Sequence, residues 1–553
     1  MPRWRQWAAA LSASGLLLAT TGAVVNAARV RPAASASTMT LAMWSEPDNL
    51  NPWEYPTQYD QYIEYMAFDG LVRPSGNLTV LPDLATHWTY SNGGKTLTFF
   101  LRKGVTWQDG KPFTAADVAF TFNSVASPAY NGGSNSYVAP IAGYAAVQAH
   151  KAKTLSGLQV VNPYEIRITL SQPDAAFLSG MTQEILPEHL LKNVPVAQWK
   201  SSAFARMPVG TGPFQVTKWV PGQYIEMTRN PRYFGGKPRL EHVIWRFGNQ
   251  NTMLAAFLSH EVQVAPVPVN DAQLVNGNGN RLDVVKTFDI QYMGMNLADP
   301  RLADPVVRKA MALAINKQDI VQSLLHGYGS VDNQLFPNDS WAYDPSFKGY
   351  GFNPKAAAAL LTKDGWKLNA QGVRQKGKQT LSFTLIYPTG DLAREESAPL
   401  IQQDLANIGV QVQLQSMDFA TLVTHLLPTN SKGQMHAPTP SNYTLMLLGF
   451  GIVNDPDEYM PYFQSSQVPP VGYNYTNYKN AEMDRLFAQE ELATTHAQRV
   501  AIFHKISDQL GAQVPWVPLY MDENLWAVSG NVHNFNPNPA TISGNCVDWW
   551  VSP

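Results

Sequence analysis

Residues 81–123, LPDLATHWTYSNGGKTLTFFLRKGVTWQDGKPFTAADVAFTFN, contain a complete strand, turn and helix unit. Leu97, Phe99 and Leu101 alternate with Thr98, Phe100 and Arg102, the period-two pattern of a half-buried strand. Gly93-Gly94 before it and Asp109-Gly110 after it supply the positive backbone angles of turns. Thr114 and Asp117, three residues apart, predict a capped helix start, with Ala119 and Phe122 on the helix that follows. Trp88, Trp107 and the phenylalanines add packing mass. Nothing in the run is reactive.

The rest of the chain sets the frame for this unit. Its 553 residues exceed a single core, so about two or three domains are expected. Only 15% of residues are charged, with 40 basic and 42 acidic side chains for a net charge of −2. No basic patch points to nucleic acid, and no charge run points to a disordered tail. Arg3 and Arg5, the apolar run Ala8 to Val25, and small residues ending at Ala27 or Ala36 have the three-part plan of a secretory signal. An uncleaved anchor is the alternative reading of that run. Cys546 is the single cysteine, so no disulfide can form within the chain. No cysteine near residue 27 or 36 is available for lipid attachment.

With the framing phrases added, the stretch resembles the extracellular solute-binding proteins of peptide- and nickel-type ABC importers. The pattern LA-x-x-W…TFxLRxGVxWxDGxPFTAxDV is matched nearly throughout residues 84–118. Gly210-Thr211-Gly212-Pro213-Phe214, Asn230-Pro231-Arg232-Tyr233-Phe234 and Asp304-Pro305-Val306-Val307-Arg308 follow in the family's order. Asp304 caps and Pro305 starts the last of these, and Val307, Ala310, Met311, Ala314 and Ile315 form one apolar helix face. Ser382 to Leu414 reads strand, helix, strand, a crossover unit in which Pro399 should kink or restart the helix.

The resemblance implies an α/β, two-lobed periplasmic-binding-protein-like fold (type II, large peptide-binding class). Residues 1–36 would be the signal peptide. Lobe I would comprise 37–73, 206–292 and 516–553, with an accessory subdomain at 74–205, and lobe II would comprise 293–515. It also implies an exported monomer at the periplasmic or outer face of the membrane, handing a peptide or other small solute to ABC permease subunits. No cofactor is implied.

Motifs for catalysis are incomplete. His260-Glu261 begins like a zinc-protease helix, but position 264 is Val where the second ligand belongs. No G-x-S-x-G elbow and no phosphate-cradling loop occur. Gly449-Phe450-Gly451 lacks the third glycine of a dinucleotide site.

By resemblance, ligand-facing residues fall after the Leu50-Asn51-Pro52 loop, at Tyr55, Pro56 and Thr57. Others fall at Tyr137, at Tyr292 and Met293 by the crossing, at Gly449, Phe450 and Gly451, and at Tyr520. Peptide-binding members place an acid for the ligand's α-amine where this chain has Val453, and a valine cannot compensate an ammonium. Asp455 could substitute. Otherwise the ligand would be a modified peptide, an oligosaccharide or another solute stacked on Tyr55, Tyr137, Phe450 and Tyr520.

Overall fold

Two long strands, Arg281–Met295 and Trp516–Val528, pair antiparallel along most of their length. The computed structural model describes residues 37–54, 57–275, 277, 279–331, 333–452 and 454–553. The expected leader, Tyr55, Pro56 and Val453 lie outside the described residues. The strand pair is the middle of one 11-stranded sheet that serves both lobes. On one side follow Val264–Pro266, Thr38–Met43, His242–Phe247, Tyr224–Arg229 and Phe214–Val220; on the other, Leu445–Gly451, Ser382–Pro388 and Gln411–Met417.

The pairing register locates the waist. Arg281 to Lys286 pair with Val528 to Glu523, next to the strand Val264–Pro266 of lobe I. From Asp289 onward the same strand pairs with Leu445–Gly451 of lobe II. Between Lys286 and Ile290 the register shifts. The return strand pairs Met521 and Asp522 with Ser330 and Gly329. A register break gives a strand the local freedom to bend.

Local grammar accounts for most elements. The capping boxes of Thr114 with Asp117 and of Thr495 with Gln498 both form. Asp304 caps the helix Pro305–Ala314, whose Val307, Ala310, Met311 and Ala314 are fully buried. Each large apolar side chain in such a face contributes ~1.5–3 kcal/mol before entropy. Ser382–Pro388 and Gln411–Met417 pair in parallel across the helix Leu392–Ala406. That helix runs through Pro399 as one element, where the sequence predicted a kink or restart. The strand Thr96–Leu101 lies between Ala85–Ser91 and Glu165–Thr169. Its Thr96 and Thr98 are therefore buried along with Leu97 and Phe99, more than period-two alternation predicts.

The accessory subdomain is fastened to lobe I through the opening stretch. Gln108 donates to the carbonyls of Ala67 (3.1 Å), Gly212 (3.2 Å) and Phe214 (2.9 Å), and accepts from the Gly210 amide (2.8 Å). Gly212 lies so close to the Met66–Phe68 backbone that a Cβ would come within 2.6 Å of it. Gly212→Ala is therefore expected to cost ~1–3 kcal/mol, read as a lower denaturation midpoint.

Lobe I also buries carboxyl groups. Burial pushes Glu184 up to about 8 and Glu54 up to about 7, the latter despite Lys200. Asp69 is raised by burial to about 6, with bonds from Thr211 and Tyr233 partly offsetting it. Glu64 is raised well above its ordinary value by burial and by Glu184, and neither of its side-chain oxygens has a hydrogen-bond partner. A raised folded-state value means that the folded form holds the proton more tightly than the unfolded chain. The stability these groups contribute is thus complete below their ordinary range and is lost as pH rises through about 6 to 8. Melting temperature should be higher at about pH 5 than at about pH 8.

Candidate ligand-binding cleft

The lobe II strand Leu445–Gly451 forms the floor of the candidate site. Gly449 lies opposite Gln291, and Gly451 opposite Asp289, on the crossing strand. Along Phe288 to Tyr292 the apolar Phe288, Ile290 and Tyr292 are buried, Gln291 is buried as well, and Asp289 alone is exposed. Neither glycine could carry a side chain without disturbing its neighbours. A Cβ at 449 would stand 2.8 Å from the Gln291 amide and 3.0 Å from the Arg394 guanidinium. At 451 it would overlap the Asp289 carboxylate. The floor strand thus presents bare main chain beside polar groups.

Those groups form a connected set. Arg394, in the first turn of the helix Leu392–Ala406, donates through Nε (3.1 Å) and Nη2 (2.8 Å) to the Gln291 carbonyl oxygen. Gln291 donates its amide to Asp522 Oδ2 at 2.6 Å. Arg394 also pairs with Asp391 at 3.1 Å. Burial pushes Asp522 up to about 7; the bond from Gln291 opposes this, Asp391 and Asp289 add to it, and Arg394 offsets part of it. Asp289 is raised by the burial of its surroundings although its own side chain is exposed.

Leu447 to Gly451 pair with the crossing strand on one edge only. The neighbour on the other edge, Ser382–Pro388, pairs only with Leu445 and Met446. Beyond Met446 that edge of the floor strand has no strand partner among the described residues.

The loop leaving the floor strand joins lobe II to the accessory subdomain. Ser179 Oγ donates to Asp455 Oδ2 at 2.7 Å, and Thr182 Oγ1 to Asn454 Oδ1 at 3.1 Å. Asn454 Nδ2 donates to the Tyr137 hydroxyl at 3.1 Å. Leu78 is buried in the lobe II core, and the Trp341 amide donates to the Asn77 carbonyl at 3.2 Å. These contacts tie lobe II to the accessory subdomain. Beside them is a cavity of about 300 Å³ lined by Trp88, Tyr90, Trp341, His496 and Arg499. None of Gly449, Gly451, Asp289, Gln291 or Arg394 lines it, so it is separate from the floor.

Asp455 has a different setting from the one expected. It takes both terminal nitrogens of Arg499, Nη1 to Oδ2 at 2.8 Å and Nη2 to Oδ1 at 2.6 Å, and caps its own turn by accepting from the Asp457 amide at 3.0 Å. With Ser179 added, four donors occupy its two oxygens. Arg499 Nε donates further to Glu490 at 2.5 Å. Burial alone would lower the guanidinium's value, but Asp455 and Glu490 overcome it and keep the group charged. Both oxygens are committed within the fold, which corrects the expectation that Asp455 is free for a ligand amine.

The other expected site residues divide. Phe450 is half-buried against Tyr459 and Tyr462, with ring centroids 4.8 and 4.6 Å away, beside the two floor glycines. Tyr137 is half-buried and reaches Asn454, with its ring edge-on to Trp53. Thr57 caps the helix Gln58–Ala67 in a reciprocal pair with Asp60. Tyr292 is 2% exposed and stacked on Trp516 at 3.6 Å; Met293 and Tyr520 are 0% and 1% exposed. These three belong to the lobe II cores, a correction, because side chains buried to this degree offer no surface to a ligand. Asp289, Gln291, Arg394 and Asp522 were missed. The polar alternation within Phe288-Asp289-Ile290-Gln291-Tyr292 was the available signal.

Because Asp455 closes a buried ion pair, Asp455→Ala is expected to destabilise the ligand-free protein by ~3–5 kcal/mol. Calorimetry without ligand checks this; an unchanged melting temperature would contradict the structural role.

Comparison with known proteins places this architecture. Residues 79–469 match the model of bacterial extracellular solute-binding proteins, family 5 middle. The oligopeptide-binding protein AppA of Bacillus subtilis is 29% identical over 499 residues, covering 89% of this chain and 87% of AppA. The solved structure of that AppA, in complex with a nonapeptide, superposes with a TM-score of 0.70 at 27% identity, covering 93% of this chain and 99% of that one. NikZ of Campylobacter jejuni, solved with Ni(L-His), gives a TM-score of 0.73 at 25% identity, covering 94% of this chain and all of that one (100%). These relatives are binding proteins. Among the described residues no helix is long and apolar enough to cross a membrane. The chain belongs to the family 5 bacterial extracellular solute-binding proteins, with the two-lobed type II fold of that group, and serves as the substrate-binding component of an ABC importer.

Proposed function

We propose that this binding protein captures short peptides between its lobes, outside the cytoplasmic membrane, and delivers them to a membrane permease while acting as a monomer. The supporting observation is the unpaired edge of Leu447 to Gly451. A strand edge with free amide and carbonyl groups is completed by an extended peptide adding itself as the next strand. Gly449 and Gly451 leave room for that approach, and Phe450 offers an aromatic face. Arg394, next to Gly449, supplies a cation suited to a peptide carboxylate.

Main-chain pairing also explains how sequence-tolerant capture could reach useful affinity. A micromolar ligand requires roughly −8 kcal/mol in total, and main-chain bonds are common to every peptide. Closure follows because a ligand spanning both lobes binds the closed form more tightly than the open one. The boundaries of the lobes follow the strand register, with the crossings at 286–290 and 521–523.

The test is a thermal-shift and calorimetric comparison of pooled random pentapeptides with an oligosaccharide panel. Peptides are expected to raise the melting temperature, and Gly449→Val to remove that shift by filling the floor. Stabilisation by oligosaccharides with none by peptides would overturn the proposal.

A further inference from the structure

We propose that the cavity between the accessory subdomain and lobe II is a second binding site, built for a small neutral polyhydroxylated ring such as a monosaccharide, and that filling it strengthens capture at the floor. The site itself stands without the peptide reading above; only its coupling to capture rests on that reading.

Both bodies supply the walls. Trp88 and Tyr90 lie two residues apart on one face of the edge strand Ala85–Ser91, and Asp174 comes from the same subdomain. Trp341, His496 and Arg499 come from lobe II. The contacts around the rim cross between the bodies. They are the Trp341 amide to the Asn77 carbonyl, Ser179 Oγ to Asp455, and Gly94 against Thr494, whose side chain lies 3.7 Å from where a Cβ would stand. The enclosed space, about 300 Å³, is at the lower end of the ~300–1,000 Å³ typical of small-molecule sites.

The lining sets the chemistry. Trp88, Tyr90 and Trp341 offer flat apolar faces, and the polar edges of the rings are unused. The two indole nitrogens, the Tyr90 hydroxyl and the His496 ring nitrogens make no hydrogen bond among the described residues. Asp174 gives Oδ1 to the amides of Ala176 and Phe177, both at 3.0 Å, and its Oδ2 accepts none among the described residues. Burial and Arg499 hold His496 below its ordinary range, so near neutral pH its ring offers one donor and one acceptor. Donors and acceptors therefore surround apolar faces. A ring with C–H groups on its faces and hydroxyls on its edge satisfies both.

Charged ligands fit less well. Arg499 is spent, with Nε on Glu490, both terminal nitrogens on Asp455 and its plane over Trp341 at 4.8 Å. No cation is left for an anion, and Asp174 opposes one. An ammonium would find the Trp341 face already covered by a guanidinium, and the two indole N–H groups would have nothing on it to donate to. A neutral ring that touches both walls binds only while the subdomain and lobe II are together. The same approach encloses the floor, so each ligand favours the other reciprocally.

Calorimetric titration of the full protein with glucose, galactose and N-acetylglucosamine, and with choline as the cation probe, tests the site. At least one sugar is expected to half-saturate near about 1 mM, and choline to give no saturation. Tyr90→Ala and Asp174→Asn should weaken that sugar by on the order of tenfold while keeping the unliganded melting temperature and the pentapeptide affinity measured without sugar. The asparagine keeps an oxygen for the Ala176 and Phe177 amides. Gly449→Val, which fills the floor, should leave sugar binding intact. Saturating sugar should lower the half-saturating pentapeptide concentration about fivefold or more. The site is overturned by no saturation with any of these sugars, by saturation with choline, by unchanged sugar affinity in both cavity variants, or by loss of sugar binding in Gly449→Val. Peptide affinity that ignores saturating sugar overturns the coupling. A wild type that binds no pentapeptide overturns the peptide reading and the coupling, and the sugar titrations still decide the site.

Discussion

The antiparallel pairing of Arg281–Met295 with Trp516–Val528 is the constraint on which the molecule depends. These two strands belong to both lobes at once, so the lobes share one sheet and are more than neighbours joined by loops. The register break between Lys286 and Ile290 is the place where that continuity is weakest. A bend there moves lobe II as a body, because the chain between Asp289 and Met521 is paired into its own strands and packed on its own cores. Asp289 and Gln291 immediately follow the break. The candidate site therefore starts where the hinge stops.

Closure is linked to the same few residues from the other direction. The floor strand ends at Gly451, and within four residues the chain reaches Asn454 and Asp455, which meet Thr182, Tyr137 and Ser179 of the accessory subdomain. A neutral hydrogen bond contributes only about 0.5–1.5 kcal/mol net. A few such bonds are too weak to hold the lobes shut against a costly reopening, yet sufficient to bias the closed form once a ligand bridges the floor. The strong interaction in this region, Arg499 with Asp455 and Glu490, lies wholly within lobe II and holds the loop in shape in either state.

Much of the fold was legible because it rests on local grammar. Caps such as Thr114 and Asp304, and apolar faces such as Val307 to Ala314, need only neighbouring residues to be recognised. The floor glycines were legible too, since Gly449-Phe450-Gly451 is a short run with an unusual composition. The environment of Asp455 was not. Its partner Arg499 is 44 residues away and Ser179 is 276 away, and no spacing rule connects them. Tyr292 and Tyr520 failed for a related reason. An aromatic near a crossing strand can face either side of the sheet, and one residue of register decides which. The helix through Pro399 shows tertiary packing overriding a local signal, with Ala398 and Ile401 fully buried on either side of the proline.

The stretch at 81–123 and the cleft stand in contrast. Gln108 spends its amide on three carbonyls of lobe I and Trp107 is fully buried, so the residues that identify the family most clearly are committed to docking the accessory subdomain. Residues that satisfy one another inside a fold have no capacity left for a ligand. The same accounting picks out the floor. In a chain where only 15% of residues are charged, four charged side chains gather around Gly449 and Gly451, and Asp289 accepts no hydrogen bond among the described residues. Asp289 and Asp391 against the single guanidinium of Arg394, with Asp522 protonated for part of the time near neutral pH, leave the candidate cleft acidic on balance.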